Sequence, residues 1–393
     1  MRTVDAAGLG IGDEHPPRIM GVLNVSKESP YDPSVFDDPG EAAAYVDEEL
    51  IGEGADIVDV GLESANKRFE VLSADEELER LDTAVETLES VSGDAIFSIE
   101  TRYHEVAEAA LARGYDMVND ICGFADPEMP RVCAEHDVAV GKMASPPDLT
   151  SPGAVEDVDD IYDALGQNGF TDKTIVDPAF GGWSEAKTLA DDRATFRRLR
   201  EFRGLGYPIL VSINRKNFLR DVAGRPTEEA LPVSLAATSM AVERGAHVVR
   251  THDVAETRDA ALIGNEFARD RVREAGDVSV EELDVTTPRE AERHLDRVGA
   301  ASGSELADSA ALSGDAVVRV FELAGLSDAD VGSLSTAASG AGVTVVPDAG
   351  GADGDGRSAL VFGTSRAVAE LDPAAGGTDA LSGALETVES AVR

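Results

Sequence analysis

From Arg18 to about Phe267 one alternation repeats eight times: a short β-branched or apolar run, a polar turn, then a longer stretch with helical spacing. The strand-like runs are RIMGVLNV, ADIVDV, AIFSIE, YDMVND, DVAVGKM, KTIVDP, PILVSI and AHVVRT. Between them lie segments such as GEAAAYVDEELIGEG, ADEELERLDTAVETLES, YHEVAEAALARG, ATFRRLREFRG and EEALPVSLAATSMAVERG, several of which end at glycine as a helix C-cap does. Eight such units in about 250 residues are what a (β/α)8 TIM barrel requires. The pattern alone leaves a doubly wound open sheet as the alternative. The barrel is assigned to residues 15–270.

After Glu274 the texture changes to a charged segment, EELDVTTPREAERHLDRVGA, followed by the apolar runs AVVRVFELAGL, GVTVVPD and SALVFGTS between Gly- and Asp-rich loops. Residues 275–393 therefore read as a small α+β accessory domain without a constellation of nucleophile, base or metal ligands. His294, on an amphipathic charged helix, is expected to face solvent.

Composition limits the function classes. The chain carries 76 acidic against 34 basic residues, a formal charge of −42, which argues against a nucleic-acid partner. Only six residues are lysine, and the carboxylates are spread along the whole chain, a pattern that suggests adaptation to high salt. With 42% hydrophobic residues and no run of apolar residues long enough for a bilayer, the expectation is a soluble globular protein with no membrane partner. The start, MRTVDAAGLGIGDEHPPR, lacks the features of a secretory signal, which points to the cytoplasm. Cys122 and Cys133 are too few for a disulfide framework and are expected to be small buried residues.

In a barrel the functional groups stand where strands end. Reading past each strand gives Asn24, Asp59 with Glu63, Glu100, Asn119 with Asp120, Lys142, Asp177, Lys216, and Arg250 with His252. Turn chemistry accounts for about half of these, since turns favour Asn and Asp. It does not account for apolar strands ending in Lys142, Lys216, Arg250 and His252 in so acidic a chain. Arg250 and His252 suit a phosphate or pyrophosphate. Glu100, Asn119 and Asp177 suit a flat heterocycle with several donors and acceptors on one edge. Asn24, on a loop with Ser26, Glu28, Ser29 and Asp32, suits oxygen ligands or a hard cation such as Mg2+.

The blocks GVLNVSKESPYD, IVDVGLES, FSIETR, MVNDICG, TIVDPAFGG, ILVSINRKNF and GAHVVRTHDVAET resemble, in order and over some 250 residues, those of the dihydropteroate synthase family of pterin-binding enzymes. That resemblance implies condensation of hydroxymethyl-7,8-dihydropterin pyrophosphate with p-aminobenzoate to give 7,8-dihydropteroate and pyrophosphate in folate biosynthesis, with Mg2+ as cofactor and a homodimer as the assembly. It places Asn24 on the metal or the diphosphate, and Arg250 and His252 on the leaving pyrophosphate. Glu100, Asn119 and Asp177 fall on the pterin edge, with Lys216 donating to the pterin carbonyl oxygen.

Departures concentrate on the amine side. Glu100 replaces the family's aspartate, and Ser64, Ala65, Asn66 and Lys67 stand where Ser-Thr-Arg-Pro is usual. Gly182 occupies a position where an aromatic often packs on the amine, and Asn214 replaces a serine before Arg215. The acceptor is then either bound differently or a related arylamine. Two rival readings remain at this point: a pterin-dependent methyltransferase, against which RTHD and RKNF weigh, and a pterin-binding protein without synthase activity.

Overall fold

Period-two alternation decides what each strand turns inward. The computed structural model describes residues 1–25, 34–63, 71–275, 278–302, 309–348, 356–372 and 378–392. It divides into two compact units, Met1–Glu282 and Leu283–Arg393. The first thus reaches beyond the 15–270 read from the sequence at both ends.

The first unit begins with an antiparallel hairpin, β1 (Val4–Ala6) and β2 (Leu9–Ile11). Eight parallel strands follow: β3 (Arg18–Asn24), β4 (Ile57–Gly61), β5 (Ile96–Thr101), β6 (Met117–Asp120), β7 (Ala139–Met143), β8 (Thr174–Asp177), β9 (Leu210–Val211) and β10 (Val248–Thr251). Around them run α1 (Pro39–Tyr45), α2 (Ala74–Ser90), α3 (His104–Leu111), α4 (Met129–Glu135), α5 (Val158–Gly166), α6 (Leu189–Arg197), α7 (Asn217–Ala223), α8 (Leu231–Glu243) and α9 (Val254–Glu266). The strand order is β8-β7-β6-β5-β4-β3-β10-β9, and a bridge from Val176 to Ile209 joins its two ends. That closure makes the sheet a (β/α)8 barrel and rules out the open sheet.

One side chain from every strand forms the lowest inward layer: Met20, Ile57, Ile96, Met117, Ala139, Ile175, Leu210 and Val248. Val4, Ala6 and Ile11 of the hairpin plug it from below. Their neighbours of opposite parity, among them Val58, Val118, Val140, Val176, Val211 and Val249, pack under the helices. Both strand faces are therefore apolar, which is why the runs look continuous rather than alternating. Two residues further along, the inward parity reaches Asp59, Ser98, Asn119, Asp177 and Arg250; four residues along, it reaches Asn24 and Glu100.

The unit closes with the hairpin β11 (Val272–Ala275) and β12 (Val278–Glu281). At the closed end of the barrel the Arg203 guanidinium makes paired hydrogen bonds to Asp13, at 2.9 and 3.0 Å. Ile209 N–H donates to Nδ1 of His247, so Nε2 carries the proton that faces Asp13 at 3.2 Å.

The second unit is a small α+β fold with the antiparallel sheet β13 (Val318–Leu326), β14 (Thr344–Pro347) and β15 (Arg357–Thr364), in the order β13-β15-β14. Its helices are α10 (Pro288–Ser302), α11 (Ser309–Asp315), α12 (Asp328–Ala341), α13 (Ser365–Ala369) and α14 (Asp379–Val392). Leu323, Val331, Leu334, Val361, Leu381 and Leu385 form its core. His294 does not face solvent as expected. It is buried beside Ala291 on the inner face of α10, one helical turn apart on the same stripe.

Both cysteines are free and buried. Among the described residues no helix is long and apolar enough to cross a membrane.

Candidate active site

Strand register gathers five of the sequence-selected residues at the open end of the barrel. Asn24 pairs across the sheet with Gly61, Gly61 with Glu100, and Glu100 with Asn119. Asp177 ends β8, and Arg250 lies opposite Met20 on β10. Glycines make room for them. A Cβ on Gly61 would stand 3.0 Å from Oδ1 of Asn24, and one on Gly141 would stand 2.8 Å from Oδ1 of Asn119.

Arg250 is the hub. Its Nε donates to Oδ2 of Asp59 at 2.7 Å and its Nη2 to Oε2 of Glu100 at 2.7 Å. Asn119 Nδ2 donates to the same Asp59 oxygen at 3.0 Å. Asp59 is fully buried, and among the described residues its Oδ1 has no hydrogen-bond partner, nor does the buried hydroxyl of Ser98. Burial raises the pKa of Glu100, against the pull of Arg250. For Arg250 burial acts the other way, but Glu100 and Asp59 outweigh it and hold the guanidinium charged.

The arginine therefore does not stand alone in its acidic surroundings, as its sequence context suggests; it bridges two carboxylates on neighbouring strands. Asp253, the nearest acid in sequence, has other partners. Arg215 donates to both its oxygens at 2.8 Å, and Asn214 adds a third bond at 2.8 Å. The asparagine that departs from the family pattern thus helps anchor Asp253.

His252 follows β10. Burial, together with the charge of Arg250, lowers its pKa to about 3, so the imidazole is neutral at physiological pH. Of the two residues, Arg250 therefore brings charge and His252 a polar ring.

Lys216 precedes α7 as its N-cap residue. Burial, with Arg250 nearby, lowers its pKa to about 8, while Asp177 pulls the other way. Asp177 accepts the backbone N–H of Ala179 at 2.8 Å, and burial raises its pKa to about 6. Lys216 Nζ lies 5.5 Å from the ring of Trp183 and would stand 3.0 Å from a Cβ on Gly181, whose φ of +123° favours glycine.

Trp183 and Lys187 were not singled out from sequence. Trp183 is next to Gly182, the position that lacks the aromatic; its Nε1 donates to Phe180 O at 3.1 Å, and its ring packs against Gly153. Lys187 Nζ is buried on Ala179 O at 2.6 Å, with Asp192 at 3.6 Å, and so braces the β8–α6 loop. A lone tryptophan and a lysine in a chain with six lysines were the available signals.

Lys142 points away from this site. It shares the parity of Val140, so its ammonium enters the helix layer, where it donates to Leu165 O at 2.9 Å and Gly169 O at 2.7 Å at the end of α5. The rings of Phe124 and Phe170 flank it at 4.8 Å each. It is a buried helix C-cap. Asp120, of the same outward parity, accepts the N–H groups of Cys122 and Phe124. Asn24 Nδ2 donates to Ser34 at 3.0 Å. Ser26, Glu28, Ser29, Asp32, Ser64, Ala65, Asn66 and Lys67 lie outside the described residues.

Comparison with known proteins points the same way. Residues 20–252 match the family described as pterin binding enzyme. The chain is 34% identical over 242 residues to a dihydropteroate synthase of Bacillus subtilis, covering 60% of this chain and 83% of that one. It is 32% identical over 274 residues to a probable bifunctional folylpolyglutamate synthase/dihydropteroate synthase of Haloferax volcanii, covering 65% of this chain but 32% of the longer protein. Among solved structures, the dihydropteroate synthase of Thermus thermophilus in complex with 4-aminobenzoate superposes with a TM-score of 0.56 at 30% identity, over 68% of this chain and all of that one.

Proposed function

Because the chain belongs to the pterin-binding enzyme family, we propose that it is a dihydropteroate synthase, a transferase that joins hydroxymethyl-7,8-dihydropterin pyrophosphate to p-aminobenzoate or a related arylamine. The supporting observation is the polar ring Asn119, Asp59, Arg250 and Glu100, with Asp177 beside it, at the ends of strands that are otherwise apolar.

In this reading Glu100, Asn119 and Asp177 accept from and donate to the pterin edge, and Lys216, mostly protonated at neutral pH, donates to the ring carbonyl oxygen. Arg250 turns from its carboxylates toward the pyrophosphate, whose charge grows as the C–O bond breaks. Asn24 and His252 complete the pyrophosphate side. The arylamine nitrogen then forms the C–N bond and loses its proton to solvent. No tuned base is needed, since an aromatic amine is a free nucleophile at neutral pH.

The residues fit Mg2+. The amide nitrogen of Asn24 is engaged by Ser34, which leaves Oδ1 as a hard oxygen donor at the strand end, the kind of ligand this ion shares with phosphates and water. Bound there, the ion would offset the charge on the departing pyrophosphate.

Two free buried thiols support a cytoplasmic enzyme. Exposed Met240, Leu262 and Ile263 on α8 and α9 support a homodimer, to be read by light scattering. The net charge of −42 supports adaptation to high salt, with an unfolding midpoint that rises steeply from dilute to molar KCl; a flat dependence removes that reading.

The decisive assay incubates the protein in molar KCl with Mg2+, the dihydropterin pyrophosphate and p-aminobenzoate. Release of pyrophosphate with dihydropteroate is expected. Pterin binding without either product would overturn the synthase reading.

A further inference from the structure

Trp183 is the one tryptophan of the chain, and its ring is fastened on the protein side. Its Nε1 donates to Phe180 O at 3.1 Å and its backbone N–H to Gly181 O at 3.0 Å. The ring covers Gly153, where a Cβ would stand 2.5 Å from the Trp183 Cγ. One residue on, the Ser184 hydroxyl donates to Glu156 at 2.5 Å, so two successive residues join the β8–α6 loop to the β7–α5 loop. The same loop is tied to the start of α7. Phe180 and Phe218, each 1% exposed, stack with ring centroids 5.7 Å apart, and Lys216 lies two residues before Phe218.

This framework sets the distance from the indole to the Lys216 ammonium. Gly181 clears the way, since a Cβ there would stand 3.0 Å from Nζ, and Nζ comes to 5.5 Å from the Trp183 ring. Lys142 and Lys187 rest their ammonium groups on backbone carbonyls. Among the described residues the Lys216 ammonium has no hydrogen bond or ion pair beside its contact with the ring. A flexible four-carbon stem does not hold its own end in place. An aromatic face can do so by attracting the cation, and more strongly where water is excluded.

We propose that Trp183 is a positioning residue, whose indole face holds the Lys216 ammonium at the mouth of the barrel for the carbonyl oxygen of the ligand. The ligand half of this rests on the role given to Lys216 in the proposed reaction, whereas the contact itself can be tested without a ligand. Burial, with the charges of Arg250 and Lys187, lowers the pKa of Lys216 to about 8, while Asp177 and Asp192 raise it. His252, the remaining titratable neighbour, is neutral in that range. The ring attracts only the charged form, so its loss should lower the Lys216 midpoint further.

With no other tryptophan in the chain, the emission of Trp183 reports on its surroundings alone. In the ligand-free wild type that emission should show a step at a pH of about 8, as the ammonium loses its proton, and Lys216→Met should lack the step. A wild type without it, or a Lys216→Met variant that keeps it, overturns the proposal. Calorimetric titration of hydroxymethyl-7,8-dihydropterin at a series of pH values then reads the positioning. The alkaline decline in affinity should move down by about half to one pH unit in Trp183→Leu. It should stay near the wild-type value in Trp183→Phe, which keeps a ring face. Equal alkaline midpoints in the wild type and Trp183→Leu would make the indole a spacer between loops and contradict the proposal. If Trp183→Leu does not fold, the emission step decides. A wild type that binds no pterin counts against the pterin role of Lys216, and the emission step then decides the contact.

Discussion

The two units bury carboxylates for opposite ends. In the second unit Asp330 accepts Ser327 N and Oγ at 3.0 and 2.6 Å and Thr378 N and Oγ1 at 3.0 and 2.9 Å, which caps α12 and ties the start of α14 to it. Those hydrogen bonds hold its pKa well below the usual range. In the barrel Asp59, Glu100 and Asp177 take few backbone partners and face cations across the mouth instead. A carboxylate saturated by local N–H groups has nothing left for a ligand; one held by a movable arginine does. The strands differ likewise, since β4 is buried at every position whereas β13 alternates or lies open along most of its length.

The sharpest way to break this contrast is Arg250→Ala. Loss of charge at the leaving group should lower turnover by about two orders of magnitude. Because Asp59 and Glu100 then remain buried without their counter-ion, stability should also fall by about 3–5 kcal/mol. Turnover per folded molecule, measured with denaturant unfolding, separates the two effects. Normal turnover in the folded fraction would leave Arg250 a structural ion pair, no different in kind from the Arg203 pair at the other end of the barrel.

A smaller effect follows from pH. If Asp177 and Lys216 hold the pterin as proposed, ionised and protonated respectively, affinity should decline as pH falls through about 6 and again as it rises through about 8. Asp177→Asn should abolish the acid limb and keep the alkaline one. An acid limb that survives the substitution would assign it to another group.

The least effect on catalysis is expected from the second unit. Leu334→Ala in its core should cost that unit about 2–5 kcal/mol, visible as an early unfolding transition, while turnover at temperatures below it stays at the wild-type level. A parallel loss of turnover would mean that the unit contributes to the site.

The eight strands were legible because β-branched runs and glycine-ended helices recur in step, and five of the residues picked at strand ends, Asn24, Glu100, Asn119, Asp177 and Arg250, meet at the open end of the barrel. Individual orientation was less legible. Lys142 and Lys216 both follow apolar runs, but only register separates them: Lys142 shares the parity of Val140 and enters the helix layer. The partners of Arg250 come from β4 and β5, separated from it by 191 and 150 positions, a proximity created only when the sheet closes. The neutrality of His252 depends on burial beside that same arginine, and the burial of His294 on how α10 packs. Neither can be read from neighbours in the chain.

Calorimetric titration of a pterin into Lys216→Ala and Lys142→Ala side by side tests most directly whether inward parity at the barrel mouth makes the site. The account predicts an affinity about ten- to a hundredfold weaker for Lys216→Ala, which strands polar groups of the ligand pocket. Lys142→Ala should bind as the wild type does, while unfolding earlier because the carbonyls of Leu165 and Gly169 lose their donor. Equal affinity in the two variants, or a loss confined to Lys142→Ala, would contradict it.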